Sequence, residues 1–411
     1  MVRPERLKQI LSSLRTAIGD SSGSAEGNTI PASIESALAE LLLEIESAEV
    51  GDNFTRHAGL VLKTFEEIGL PNAQPDSTGQ ILQGIGRTYE RLGDTANAYD
   101  AYSRALEFAT QANDVSLAAG CRRRMGRIMT NTADFDTAER HLTASRLEYE
   151  KLNDKLGKAQ VICDIGSLYF QRGEIDRAEC AYLEALTVAE ESGSKRTIIN
   201  LHNNLGILSN VRGVTDKAIE QYEQSRKLAE ELGDDTLLAQ VRHNLGMAYA
   251  DKREWAAANE HYEQTLEIAR QKGLGPLVAI TYLNKAQLYV ELSDLTQAAE
   301  SCGKALCVFR QSGDKLGEAE AYRILGDVFA RRGNEVTAMR MLDFSLEITM
   351  RANSPLEIGE SHRAKGAVAE RLGRKDEAIE SYKQALTYFE RCSAERDCED
   401  MRRRLEQMTH A

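Results

Sequence analysis

The sequence predicts an all-α solenoid of antiparallel helix pairs. A repeat of 40 residues is the first of three observations behind that reading. Stepping by 40 from Gly86 meets Gly126, Gly166, Gly206, Gly246, Ala286, Gly326 and Gly366. Twelve residues after each stands an alanine: Ala98, Ala138, Ala178, Ala218, Ala258, Ala298, Ala338 and Ala378. A fixed period of this length marks a stacked array, in which each unit buries its apolar face against the next. The second observation is composition. Only 6 of 411 residues are Pro, and Ala, Leu, Glu and Arg are plentiful, which favours helix almost everywhere. The third is punctuation. Gly93, Gly173, Gly213 and Gly373 sit where a helix C-terminus needs a left-handed residue. Asp114, Asp154, Asp234 and Asp314 sit where the next helix needs an N-cap.

Residues 1–18 are expected to form an amphipathic helix, and residues 19–33, which include GDSSGSAEGNT, a flexible linker. Residues 34–72 read as a degenerate repeat unit, residues 73–392 as eight full units, and residues 393–411 as a polar capping helix. In each unit the first helix carries the small residue at a close crossing, where a side chain would hold two helices apart. The second helix carries the alanine at its own crossing. One turn later on the same face comes Tyr102, Leu142, Tyr182, Tyr222, Tyr262, Cys302, Leu342 or Tyr382.

The run Ile165-Gly166-Ser167-Leu168-Tyr169, followed by Ala178, Tyr182, Ala185 and Leu186, resembles the signature of the tetratricopeptide repeat. The resemblance covers about residues 79–392. It departs from the common form in lacking the early Trp and late Pro, and in a unit of 40 residues rather than about 34. The extra residues are expected to lengthen the helices. Long units of this kind resemble those of Pins-type polarity adaptors, kinesin light chains and bacterial peptide-receptor regulators. The resemblance implies a right-handed superhelical solenoid whose first helices line a concave groove. It also implies that unit positions 5, 9 and 13 face inward, the small residue being position 8, and that the chain binds a protein partner.

Other function classes find little support. The net charge of −13 argues against general nucleic-acid binding, which needs a basic footprint. No apolar run is long enough to span a membrane, and the N-terminus lacks the apolar core of a secretory signal. Cys121, Cys163, Cys180, Cys302, Cys307, Cys392 and Cys398 are odd in number and never in C-x-x-C spacing, so they read as reduced small core residues of a cytoplasmic protein. No metalloprotease, nucleophile-elbow or phosphate-loop motif occurs. His202 and His243 stand about one repeat apart with no third ligand, so no metal is expected. No cofactor and no catalytic role are expected either. Gly273-Leu274-Gly275-Pro276 reads as a turn and Trp255 as a packing residue.

The candidate partner-binding residues follow from the inward stripe. Positions 5, 9 and 13 hold eight arginines against three acids, opposite in sign to the whole chain. Adding positions 2, 6 and 12 brings the lining near neutrality. What survives is a local cluster of Arg87, Arg91, Arg123, Arg124 and Arg127, relieved by Glu90, with Arg323 and Arg363 further along. Clustered guanidinium groups suit carboxylate or phosphate, which points to an acidic partner segment. The alternative is that they pair with acids of neighbouring units. Asn200, Asn203, Asn204, Asn244 and Asn284 fall on successive first helices, the last three at one repeat position. An amide offers both donor and acceptor, so such a ladder suits a peptide backbone, and the family resemblance supports that use. The alternative is bonding to a neighbouring helix or turn.

The leading expectation is therefore a cytoplasmic adaptor holding a partner peptide or helix. A peptide sensor whose residues 4–18 can swing into the groove and a self-assembling scaffold are the other two readings.

Overall fold

The computed structural model describes residues 75–392 and 394–410. The segments 1–18, 19–33 and 34–72 lie outside the described residues. The first four repeats comprise α1 (Pro75–Arg91) and α2 (Thr95–Ala112), α3 (Val115–Asn131) and α4 (Phe135–Lys151), α5 (Lys155–Gln171) and α6 (Ile175–Ser192), and α7 (Lys195–Val211) and α8 (Thr215–Leu232). The next four comprise α9 (Asp235–Asp251) and α10 (Trp255–Gln271), α11 (Gly275–Glu291) and α12 (Leu295–Ser312), α13 (Lys315–Arg331) and α14 (Glu335–Arg351), and α15 (Pro355–Arg371) and α16 (Lys375–Arg391). A last helix, α17 (Glu395–His410), follows. No strand occurs among the described residues.

Helices begin every 20 residues, from Pro75 to Glu395. The 40-residue sequence period is thus two modules of equal length, each a helix and a short turn. The turn after α4 shows how one module leads to the next. Asn153 takes a left-handed φ of 53°. Its N–H donates to Glu150 O at 3.1 Å, and the Asp154 N–H donates to Tyr149 O at 3.0 Å, which closes the helix end. The Asp154 carboxylate then accepts from the Gly157 N–H at 2.9 Å and caps α5.

The left-handed position recurs at each described turn between Gly93 and Gly373 and is mostly Gly or Asn, but Arg253 holds it at φ 60°. A residue with a Cβ is strained there by about 1–2 kcal/mol. Arg253→Gly should therefore raise the stability of the array by about 1 kcal/mol in urea unfolding. A lower midpoint would mean that the arginine contributes more than its backbone strain costs.

At Gly86, Gly126, Gly166, Gly246, Gly326 and Gly366 the small residue of the first helix lies beneath the bulky residue of its second helix. A Cβ added at Gly166 would stand 2.6 Å from two ring carbons of Tyr182, and one at Gly126 would stand 2.6 Å from Cγ of Leu142. Ala286 breaks the glycine series, and its counterpart by repeat position is Cys302, smaller than the Tyr or Leu found elsewhere. Both are fully buried in one cluster. Lysine replaces the preceding apolar residue twice. Lys285 is 5% exposed and its ammonium meets Glu263. Lys365 Nζ donates to Asp343 Oδ1 at 2.7 Å. In each case the stem is covered while the charge reaches an acid on the second helix of the preceding repeat.

The chain divides into two compact units, Met1–Leu208 and Ser209–Ala411, the division falling within α7. In the first unit, Leu142, Ile162, Leu168, Tyr182 and Ala185 are among the residues of one continuous core. The first helices α1, α3 and α5 touch in succession. In the second unit α9, α11, α13 and α15 do the same. There α17 covers the last repeat by burying Cys398 and Met401 with Tyr382 and Phe389, and its Arg402 and Arg403 stay exposed.

Two expectations are corrected. Gly275 and Pro276 belong to α11, with Leu274 at the N-cap, because the missing N–H and fixed φ of proline are tolerated in a first helical turn. Cys180, Cys307 and Cys392 are exposed rather than in the core. Cys180 and Cys307 fall on outward faces of α6 and α12 and Cys392 just past α16, so register decides burial over residue type.

Candidate functional site

In the first unit, α1 and α3 place Arg87, Arg91, Arg124 and Arg127 around an open hollow of about 420 Å³, with Glu90, Thr95, Ile128 and Asn131 completing its wall. The four-residue spacing from Arg87 to Arg91 keeps both on one helix face. Glu90 is the acid in that wall. It accepts from Arg124 Nη1 at 2.7 Å and from Tyr102 Oη at 2.6 Å. Arg127 Nε lies 3.8 Å from Asp164 Oδ1. Arg123 points elsewhere: its Nε donates to Asp164 Oδ2 at 2.6 Å and its Nη1 to Gln160 Oε1 at 2.5 Å. Pairing with a neighbouring unit thus accounts for Arg123, and the other four members of the cluster converge.

Of the asparagines in the first unit, Asn200 is exposed and Asn203 is half-buried. Asn204 turns its Nδ2 to within 3.5 Å of Cys163 Sγ on α5.

The second unit carries a separate hollow of about 480 Å³ between α9, α11 and α13, lined in part by Met247, Asp251, Asn284, Gln287, Glu291, Arg323, Asp327 and Arg331. Seven of these stand at positions 5, 9 or 13, Arg323 being at position 5. Met247, Gln287 and Asp327 hold position 9, and Asp251, Glu291 and Arg331 hold position 13. Trp255 packs against Ala258, Tyr262 and Leu288, as expected from sequence, and it also lines the hollow. The sequence clue was its place four residues after an inward-facing position, where the second helix starts over the opening.

Much of the charge here is internally matched. Arg323 Nη1 pairs with Glu357 at 2.8 Å. Asp327 takes Arg331 at 2.8 Å and also Arg371. Asp251 instead accepts from the neutral Asn210 Nδ2 at 2.9 Å. Arg363 lies outside this hollow, paired with Glu360 at 2.6 Å and Asp397 at 3.1 Å.

Asn284 is tied to a buried histidine. Its Nδ2 approaches His243 Nε2 at 3.3 Å, while His243 Nδ1 lies 2.9 Å from Thr281 Oγ1. Thr281 Oγ1 in turn donates to Leu277 O at 2.6 Å. The network assigns the tautomer: Thr281 accepts from Nδ1–H, and Nε2 accepts from the amide. Burial pushes the His243 pKa down to about 4. Asn244 is half-buried.

Two sequence profiles described as tetratricopeptide repeat match the chain, one over residues 197–271 and the other over residues 79–111 and 362–392. The matched stretches are tetratricopeptide repeats. The fold of this repeat protein is shared with solved structures of low identity. A signal transduction ATPase with numerous domains and a tetratricopeptide-repeat sensor, from Pyrococcus horikoshii, gives a TM-score of 0.61 at 13% identity over 89% of this chain and 55% of its own. A Rap protein complexed with competence and sporulation factor gives 0.53 at 14% identity over 85% and 97%. The Rap conjugation gene regulator of the plasmid pLS20, in complex with the Phr* peptide, gives 0.53 at 15% identity over 84% and 95%. No curated protein matches in sequence. Among the described residues of the repeat array, no three metal-ligating side chains gather, and no helix is long and apolar enough to cross a membrane.

Proposed function

We propose that this tetratricopeptide-repeat chain is a non-catalytic adaptor in the cytoplasm that holds an acidic segment of a protein partner against the first helices of its N-terminal repeats. The observation that carries this reading is the hollow between α1 and α3, where four guanidinium groups gather with Glu90 in the wall and Asp164 3.8 Å from Arg127 in a chain of net charge −13. Planar guanidinium forks recognise carboxylates with two parallel hydrogen bonds, and such contacts strengthen where water is partly excluded. Support also comes from fold relatives captured with competence and sporulation factor or with the Phr* peptide. The amides of Asn200, Asn203, Asn204, Asn244 and Asn284 and the stripe arginines Arg123, Arg323 and Arg363 would then act mainly in shaping and bracing these faces. Arg123, Arg323 and Arg363 already hold acids of neighbouring helices.

The test is a panel of labelled peptides that differ only in charge, read by fluorescence anisotropy. Acidic peptides should bind, and Arg87→Glu, Arg91→Glu and Arg127→Glu together should weaken them at least tenfold, about 1.4 kcal/mol. Equal binding of acidic, neutral and basic peptides, or an unaffected triple variant, would remove this site.

A further inference from the structure

The hollow of the second unit differs in chemistry from that of the first. Arg323, Arg331 and Asp327 in its wall are matched by ion pairs. Two carboxylates in the same wall are not: among the described residues neither Asp251 nor Glu291 forms an ion pair, and the hydrogen bond to Asp251 comes from the neutral amide of Asn210. Both occupy repeat position 13 on successive first helices, α9 and α11, and both are exposed. Trp255 stands at the same opening. An indole beside two carboxylates with which the wall's own arginines, held by Glu357 and Asp327, do not pair is a combination that favours a positive group, since the ring and the acids attract it together. The hollow is also large enough, at about 480 Å³, to take a long side chain.

We infer that the hollow between α9, α11 and α13 receives a basic side chain, arginine or lysine, from an extended partner segment, with Asp251 and Glu291 supplying the charge and Trp255 the flat surface. The inference rests on the adaptor reading and assigns a second, chemically opposite subsite. A cation seated here would restore local neutrality, and its methylene stem would cover Met247, which is 40% exposed. The amide of Gln287, also exposed in this wall, is placed to bond the backbone on either side of that residue. An acidic side chain would meet two like charges instead. The site therefore selects by rejection as well as attraction.

Trp255 is the single tryptophan of the chain, so its emission reports on this hollow alone. Blocked alanine-based nonapeptides with a central arginine, lysine, citrulline or glutamate are titrated into the full chain while indole emission is followed. Arginine and lysine peptides should give a saturable change that weakens as salt is added, with apparent affinity at least tenfold above that of the citrulline peptide. Asp251→Asn with Glu291→Gln should reduce that affinity at least tenfold while leaving far-UV dichroism and the thermal midpoint unchanged. A citrulline peptide that binds as well as the arginine peptide, a double variant that binds like the parent, or no emission change with any peptide would each overturn the proposal. The Arg87, Arg91 and Arg127 triple variant should leave this response intact. Acidic-peptide binding lost in that triple variant, combined with a silent Trp255, would retire the basic-residue subsite and leave the adaptor reading standing.

Discussion

Replacing Gly166 by valine should destabilise the first unit by about 3 kcal/mol, at the upper end of what overpacking costs. The new Cβ alone would stand 2.6 Å from Cδ1 and Cε1 of Tyr182. That ring is 3% exposed and packs within the core that includes Leu142, Ile162 and Leu168, so it cannot turn away without opening a void. The helix-propensity gain of valine over glycine, a few tenths of a kcal/mol, is too small to compensate. The chain already contains the compensated version of this change, since Ala286 occurs in the repeat that has Cys302 in place of Tyr or Leu. A four-protein cycle of Gly166→Ala and Tyr182→Cys should accordingly show coupling of about 1 kcal/mol or more in favour of the double variant. Urea unfolding followed by far-UV dichroism measures it, fitted with nearest-neighbour terms because repeat arrays need not unfold in one step. Strict additivity would mean that the two positions do not sense each other.

That pairing shows what the sequence makes legible and what it hides. The 40-residue register was plain because Gly86 and its successors must be small and Ala98 and its successors must fit a close crossing. Which bulky residue covers which glycine was not plain, because the two are sixteen residues apart on different helices. The 20-residue module was harder to see. The backbone repeats its left-handed turn at Gly93, Asn113, Ala133 and Asn153, but several residue types tolerate that conformation, so the geometry repeats where the letters do not. Lys285 and Lys365 break the apolar pattern, and the break becomes intelligible only with Glu263 and Asp343 beside them.

The candidate site was legible by position and hidden by pairing. The inward stripe placed Met247, Asp251, Gln287, Glu291, Asp327 and Arg331 around one hollow. It also brought Arg87, Arg91 and Arg127 to another. Whether a given arginine turns to the groove or to a neighbour is settled by contacts between residues far apart in sequence, as Arg123 with Asp164 and Arg124 with Glu90. Those choices depend on rotamers, and no local pattern records them. The asparagine register was visible too, but Asn204 and Asn284 spend their amide nitrogens on the preceding first helix, at Cys163 and His243.

His243 gives the second large effect, a loss of stability in weak acid. The ring is 6% exposed, with Nδ1–H directed at Thr281 Oγ1 and Nε2 taking the amide of Asn284. Protonation would put a second N–H against that amide and a charge in a site with little water, and burial holds the pKa down to about 4 from the ordinary 6.5. The folded state therefore stays neutral over a range in which the unfolded chain takes up a proton. Stability is full above about pH 6.5, falls as the pH drops through the window, and levels off near pH 4. The total loss from this residue is about 3 kcal/mol. His261 and His362 are also lowered by burial and add to the slope in the same direction, so the measurement has to isolate His243. His243→Gln removes its titration at some fixed cost in stability. Urea unfolding of parent and variant from pH 7.5 to 4.5 should show the variant losing less on acidification, the two curves converging by close to one proton's worth of slope between pH 5 and 6. Parallel curves would mean that His243 is protonated in the fold. The hydrogen bond from Asn284 would then have to be reversed by an amide flip, with Oδ1 in place of Nδ2, and the wall of the second hollow redrawn around it.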